Sequence, residues 1–374
     1  MDNNHEATLL KVPLMFDHRH YVPCLRWKQG EYQALLRLKL DAKDNITPLV
    51  NVPEIGWDFE SQEEAKTIDE HLGKFGKRFS QKWSFRWAFI DLKLIDSSER
   101  MKDGRHPIRF VFDEVRKNNG WAIPVTGVGR DDAYQQATAE IISEDRSGVC
   151  IRVTIEDASD TEFSSRLQAS LNKLSVQPEE CHLVFDLEAP NFEPVDGFVK
   201  MVQSLIAKLP NLEKWRTFTI CGTSFPETMG QLKVGVQILK RYEWLVYKML
   251  IKRLAPSNRK PAFGDYVVAH PETVRVDMRL VKPAASIRYT IDDAWYVVKG
   301  QNVRDHGTAQ YVKHCASLIS SGLFAGNSFS AGDEYVRNCA LGKVKPGRLT
   351  TWREVGTNHH IEKTVVDIAS FSAS

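Results

Sequence analysis

Charged or polar residues at every second position recur in four apolar stretches of the sequence. They are Arg26 and Lys28 in YVPCLRWK, Asp91 and Lys93 in FRWAFIDLKLI, Arg152 and Glu156 about Thr154 in GVCIRVTIE, and Asp186 and Glu188 in CHLVFDLEAP. In an extended chain residues i and i+2 share a face, so each set is expected to project one way. Asp186 and Glu188 are then candidates for a general acid and base, or for the ligands of a divalent metal such as Mg²⁺ or Mn²⁺. Arg26, Lys28 and Arg152 are candidates for clamping an anion. Lys93, beside Asp91, carries the amine that Schiff-base chemistry needs. ICGTSFPET (220–228) supplies Thr223 and Ser224, which suit phosphate, although Pro226 at a helix start accounts for the same letters structurally. The last segment, TTWREVGTNHHI (350–361), adds Arg353, Asn358, His359 and His360, the side chains of a metal, phosphate or proton-transfer site. A network of internal ion pairs would use the same charges, since a charge buried without a partner is very unfavourable.

The elements that must position these residues follow a rhythm. Strand-like runs occupy 21–28, 46–55, 85–95, 121–128, 148–156, 181–190, 216–225 and 262–270. Between them lie helical patterns. Phe163, Leu167, Leu171 and Leu174 share one face, as do Val195, Phe198, Val199, Val202 and Ile206, and 31–40 and 131–145 also read as helices. Eight such units predict a closed TIM-like (β/α)8 barrel, with an open doubly wound sheet as the alternative. The charged sets then fall at the C-terminal ends of strands, where barrels carry their sites. From 284 the pattern changes. SIRYTIDDAWYVVKG predicts a hairpin turning at Asp292–Asp293, a helix follows near 308–322, and Ser330 and Gly342 cap and stop another. The expected division is a barrel over 1–283 and a C-terminal α+β appendage over 284–374 packed on it.

With 50 Lys and Arg against 48 Asp and Glu, overall charge names no partner. The six cysteines form no CxxC pair and sit mostly in apolar runs, as reduced, buried residues do. No apolar run is long enough for a membrane span, and MDNNHEATLL lacks the pattern of a signal peptide, so a cytoplasmic protein with no membrane partner is expected. Two basic stretches, 74–87 and 233–260, interleave cations with aromatics. They are either a track for nucleic acid or core aromatics beneath a solvated face. The His-x-His of DHRH (17–20) precedes the first strand, on the face opposite a barrel's site. GxGxxG, Walker, HExxH and GxSxG sequences are absent.

Tyr21-x-Pro23-x-Leu25-Arg26-x-Lys28-x-Gly30-Glu31, Ala34–Leu35, Pro48–Leu49, Arg288–Tyr289–Thr290, Trp295, FSAGD (329–333), Trp352–Arg353 and Asn358–His359–His360 together resemble the phage and prophage beta family of proteins. The resemblance spans essentially the whole chain. It implies a bacterial protein linked to phages or mobile elements and acting in phage–host conflict, and it supplies no reaction. Asn51 stands where an acid is expected in such a chain, with Glu54 as the substitute. The signature letters lie at the two ends, so Glu31 and Asn358 join the ligand-binding candidates. The C-terminal appendage is expected to fold over the barrel mouth and deliver Arg353, His359 and His360 beside Arg26, Lys28, Asp186 and Glu188. Three functions follow: a polar ligand site in the mouth, a metal-assisted hydrolase of a phosphate-bearing substrate, or a non-catalytic module binding nucleic acid or a phage or host protein.

Overall fold

A computed structural model describes residues 13–255, 257–272, 277 and 280–373, so the N-terminal decapeptide read for a leader lies outside the described residues. Eight parallel strands close into a barrel. In chain order they are Tyr21–Arg26, Leu49–Asn51, Trp87–Asp91, Trp121–Thr126, Val149–Thr154, Cys181–Asp186, Thr217–Gly222 and Ala262–Asp265, each inside a predicted run. The eighth pairs with both the seventh and the first, which closes the sheet and excludes the open doubly wound alternative. Alternation does the rest. Val22, Cys24, Phe89, Ile123, Cys150, Val184 and Cys221 point inward and fill the barrel, and the intervening residues face the surrounding helices. All six cysteines are buried thiols. Among the described residues no helix is long and apolar enough to cross a membrane.

The hairpin forms as expected, from Ala284–Ile291 and Ala294–Asn302. Its third strand comes from elsewhere. Gly235–Lys240, which lies between the seventh barrel strand and the helix Tyr242–Arg253, leaves the barrel and pairs antiparallel with Ala294–Asn302. Helices Gln310–Ser320 and Ala331–Ala340 pack beside this sheet, and Ser330 caps the second of them by accepting the Asp333 N–H.

The chain ends in a 25-residue helix, Leu349–Ala373. It runs along the first barrel helix, Gln29–Leu36, and its Phe371 ring meets Trp244 and Tyr247 of the seventh. The final helix therefore fills the gap between the first and seventh helices, the place of an eighth barrel helix. Asn358 locks it there, donating to the Ala34 carbonyl at 3.1 Å and accepting the Gly332 N–H at 2.9 Å. The approach is close enough to require glycine. A Cβ on Gly332 would lie 2.6 Å from the Val355 carbonyl, and one on Gly30 would lie 2.9 Å from the Thr350 carbonyl.

Gly332→Ala is expected to cost about 1–3 kcal/mol, because backbone on both sides must shift. Gly129→Ala, where a Cβ meets nothing within 4 Å, should stay within about 0.5 kcal/mol. Urea unfolding midpoints measure both, and equal midpoints would mean that the helix seat is loose.

Candidate functional site

The inward positions near the C-terminal ends of the strands carry charge, and the charges meet on the barrel axis. Arg152 on the fifth strand donates through Nε and Nη2 to Asp186 Oδ2 on the sixth, at 2.8 and 2.6 Å. Its Nη1 reaches Asp91 Oδ2 on the third strand and Asn51 Oδ1 on the second, both at 2.8 Å. Tyr266, just beyond the eighth strand, donates to Asp186 Oδ2 at 2.6 Å and accepts from Arg152 Nη2 at 2.7 Å. Arg130 donates to the other Asp91 oxygen at 2.6 Å. Burial would raise the Asp91 carboxyl, but Arg130 and Arg152 outweigh it and hold the group below its ordinary value. Burial likewise opposes the Arg152 charge, yet Tyr266, Asp186 and Asp91 raise its guanidinium well above the usual value. Two cations balance two carboxylates, so this is a neutral, fully hydrogen-bonded floor.

Above the floor opens a mouth cavity of about 1180 Å³, lined by Glu54, Lys93, Arg130, Glu156, Glu188 and His270 among others. The expectation that paired charges share a face fails here for a simple reason: each strand ends before the second member, at Arg26, Asp91, Thr154 and Asp186. Lys28 is the residue preceding the first helix, Lys93 lies in a turn, Glu156 opens a short helix and Glu188 follows the sixth strand. Asp186 is sealed in the floor, with Oδ1 accepting the Glu188 N–H at 2.9 Å. Glu188, half-exposed, pairs instead with Lys93 at 3.3 Å. The two acids expected to share a metal therefore face different environments. Among the described residues no group of three or more His, Cys, Asp or Glu side chains is placed to hold one.

The loop after the seventh strand also turns its donors inward. Ser224 donates through N and Oγ to Glu243 Oε2, at 3.0 and 2.7 Å, so an internal carboxylate sits where a phosphate was expected. Thr223 accepts the Phe225 N–H and donates to the Ala269 carbonyl. Glu243 is buried and its Oε1 has no hydrogen-bond partner among the described residues, with Arg241 Nε at 3.7 Å, beyond hydrogen-bonding reach. Burial, opposed by Arg241, pushes the Glu243 carboxyl up to about 7.

His359 and His360 do not reach the mouth. Both are buried in the seat of the final helix. His360 Nε2 donates to Asp265 Oδ2 at 2.8 Å, and its Nδ1 meets Thr290 Oγ1 at 2.7 Å. His359 bonds Asp333 Oδ2 and the Thr290 carbonyl, each at 2.8 Å, and stacks on Tyr289. Arg353 does reach the barrel top, donating to the Val268 carbonyl at 2.8 Å and lining a second cleft with Arg26, Lys28 and Glu31. Glu31 Oε2 accepts the Arg26 backbone N–H at 2.5 Å, while the Arg26 guanidinium reaches the Pro271 carbonyl and Glu54. The 74–87 stretch buries Phe75, Phe79 and Trp83 in the core and leaves Phe85 exposed, so one ring of the five stands free on the surface and Trp87 is half-buried. Sequence reasoning missed Tyr266, Asp265, Arg241, Asp333 and Arg288. Asp265 had a signal, an acid at the end of the eighth apolar run.

The family model described as Beta protein matches residues 21–366, nearly the whole chain. No curated protein sequence matches it. Among solved structures, a mutant tryptophan synthase alpha-subunit from the hyperthermophile Pyrococcus furiosus is similar at 12% identity, over 68% of this chain and 90% of that one, with a TM-score of 0.39. Triosephosphate isomerase from Bartonella henselae is similar at 10% identity, over 66% of this chain and 92% of that one, with a TM-score of 0.34. Both likenesses are of fold alone.

Two outcomes test the floor and the loop. Asp186→Asn breaks a buried pair and should cost about 3–5 kcal/mol, whereas Glu188→Gln should stay within about 1 kcal/mol. Chemical denaturation decides; equal effects would mean that the floor is not the anchor described. For Glu243, a raised folded value means that stability is fully present below its ordinary value of 4.5 and is lost as pH rises through about 7. Glu243→Gln should therefore gain roughly 3 kcal/mol on wild type between pH 5 and 8. Parallel stability–pH curves would contradict the assignment.

Proposed function

The chain belongs to the Beta protein family, and we propose that it is a ligand-binding barrel acting in phage–host conflict, taking a polar ligand in its mouth. One observation carries this reading: a cavity of about 1180 Å³ stands over a floor whose charges are engaged with one another. A rigid, neutral floor under a wall of mixed charge favours holding a polar molecule over transforming one. Glu188 adds to this. It adopts a left-handed conformation at φ 58°, uncommon for a residue with a Cβ, and is pinned by its N–H on Asp186 and its carbonyl on the Thr223 N–H. Backbone held in this way at a cavity wall is a mark of a recognition position. The metal-assisted hydrolase reading requires Asp186 to leave Arg152 and Tyr266, which strips the buried Arg152 Nε and Nη2 of their carboxylate and leaves the cation with Asp91 alone.

The test is phage challenge of bacteria expressing the protein. Lys93→Glu and Glu156→Lys, which invert the mouth, should abolish protection while leaving the melting temperature in place. The triple variant Lys77→Glu, Arg78→Glu, Lys82→Glu, on the outer surface, should protect as wild type does. The reverse pattern would replace the mouth by a macromolecular surface, and a wild type that protects against no phage would remove the biological role.

A further inference from the structure

The mouth is not alone at this end of the barrel. The second, a cleft of about 870 Å³, lies between the first barrel helix and the C-terminal segment, and its walls are largely apolar. Six cations line it: Arg26, Lys28, Lys282, Arg288, Lys299 and Arg353, against three glutamates. Two of the six are unusual. Arg288 Nη1 and Arg353 Nη1 donate to the same carbonyl oxygen, Val268 O, at 2.7 and 2.8 Å. That uses one of the five N–H donors of each guanidinium. Among the described residues neither makes a direct ion pair with a carboxylate, and Arg288 also lies over the face of Phe225, at 5.1 Å. Glu31 is the acid whose charge acts on both guanidiniums, but it is a single buried carboxylate that also accepts the Arg26 backbone N–H.

One carboxylate does not offset two like charges held side by side on one carbonyl, so a further anion between them is favoured. Burial lowers the Arg288 guanidinium well below its ordinary value, and neighbouring Arg353 lowers it further. A planar fork with unused donors fits a phosphate, which accepts several bonds at once. The size of the cleft and its apolar wall, which includes Trp352 and Tyr311, fit a ligand with an apolar or planar body behind the phosphate.

We propose that Arg288 and Arg353, braced on the Val268 carbonyl and backed by Lys28, clamp the phosphate of a nucleotide-sized ester in the cleft between the first helix and the C-terminal segment. The site depends on geometry the mouth does not share, and it stands whether or not the mouth takes a ligand.

Isothermal titration of the full chain with adenosine triphosphate, and separately with inorganic phosphate, tests it. Wild type should bind the nucleotide more tightly than phosphate alone, and addition of salt should weaken both. Arg353→Lys keeps the charge but removes the fork, and should weaken binding about tenfold or more. Lys28→Glu, at an exposed rim position, should do likewise with an unchanged melt, so the inference does not hang on a buried variant. Lys93→Glu, in the mouth, should bind as wild type. Absence of binding to wild type overturns the proposal. So does loss in Lys93→Glu with retention in Arg353→Lys and Lys28→Glu, which would place the phosphate in the mouth.

Discussion

The architecture depends on one buried carboxylate, Asp265. It stands at the end of the eighth barrel strand and points outward, away from the axis. Its Oδ1 accepts from Tyr21, at the start of the first strand, at 2.5 Å, and from the Val267 N–H at 2.9 Å. Its Oδ2 accepts from His360 at 2.8 Å, with the buried Arg241 at 3.5 Å. Four separate parts of the chain thus converge on one group: the first strand, the eighth strand, the final helix and the residue that leads into the seventh helix. Burial would raise this carboxyl, yet His360 and Arg241 outweigh it and hold it below its ordinary value. A charge this deep is tolerable only because every neighbour donates to it, and each donor is fixed in turn by the position of the charge.

The two adjacent histidines follow from that constraint. On a helix, consecutive residues point about a quarter-turn apart, so a pair can serve two partners at once. His360 takes Asp265 and the Thr290 hydroxyl; His359 takes Asp333 and the Thr290 carbonyl. Both ring nitrogens of His359 face oxygen atoms, so the ring is held at both ends. The family letters in Arg288–Tyr289–Thr290, FSAGD and Asn358–His359–His360 are consequently one unit. Tyr289 donates to Asp333, Ser330 caps the helix carrying it, Gly332 admits the Val355 carbonyl, and Asn358 ties both helices to the first one. What looks like a dispersed catalytic vocabulary is the joint that seats a distant segment as the eighth helix.

This explains how much of the molecule was legible. Barrel strands announce themselves because they are buried on both faces and separated by amphipathic helices, and all eight were visible. The final helix was not, because its buried side includes Thr357, Asn358, His359, His360, Glu362 and Thr364. Periodicity registers burial only when buried residues are apolar; here hydrogen bonds across long sequence separations satisfy polar ones. The inward charges were visible as breaks in apolar runs, yet their roles depended on where each strand stopped. Asp91, Arg152 and Asp186 lie within strands and form the floor, while Lys93, Glu156 and Glu188 lie beyond them and line the mouth. A shift of one residue in a strand end separates a structural charge from an accessible one.

The same topology accounts for the second cleft. Had the eighth helix followed the eighth strand directly, the segment after Val268 would run straight down the barrel wall. Instead the chain leaves at the barrel top and builds a hairpin and two helices before it returns, so Arg288 and Arg353 arrive over the Val268 carbonyl from opposite sides of that excursion. Gly356 lets the returning helix pass the Arg288 carbonyl, since a Cβ there would lie 2.9 Å from it. A cationic cleft beside the mouth is thus the geometric by-product of completing the barrel with a remote helix. Arg26 and His270, which line both cavities, form the wall between them.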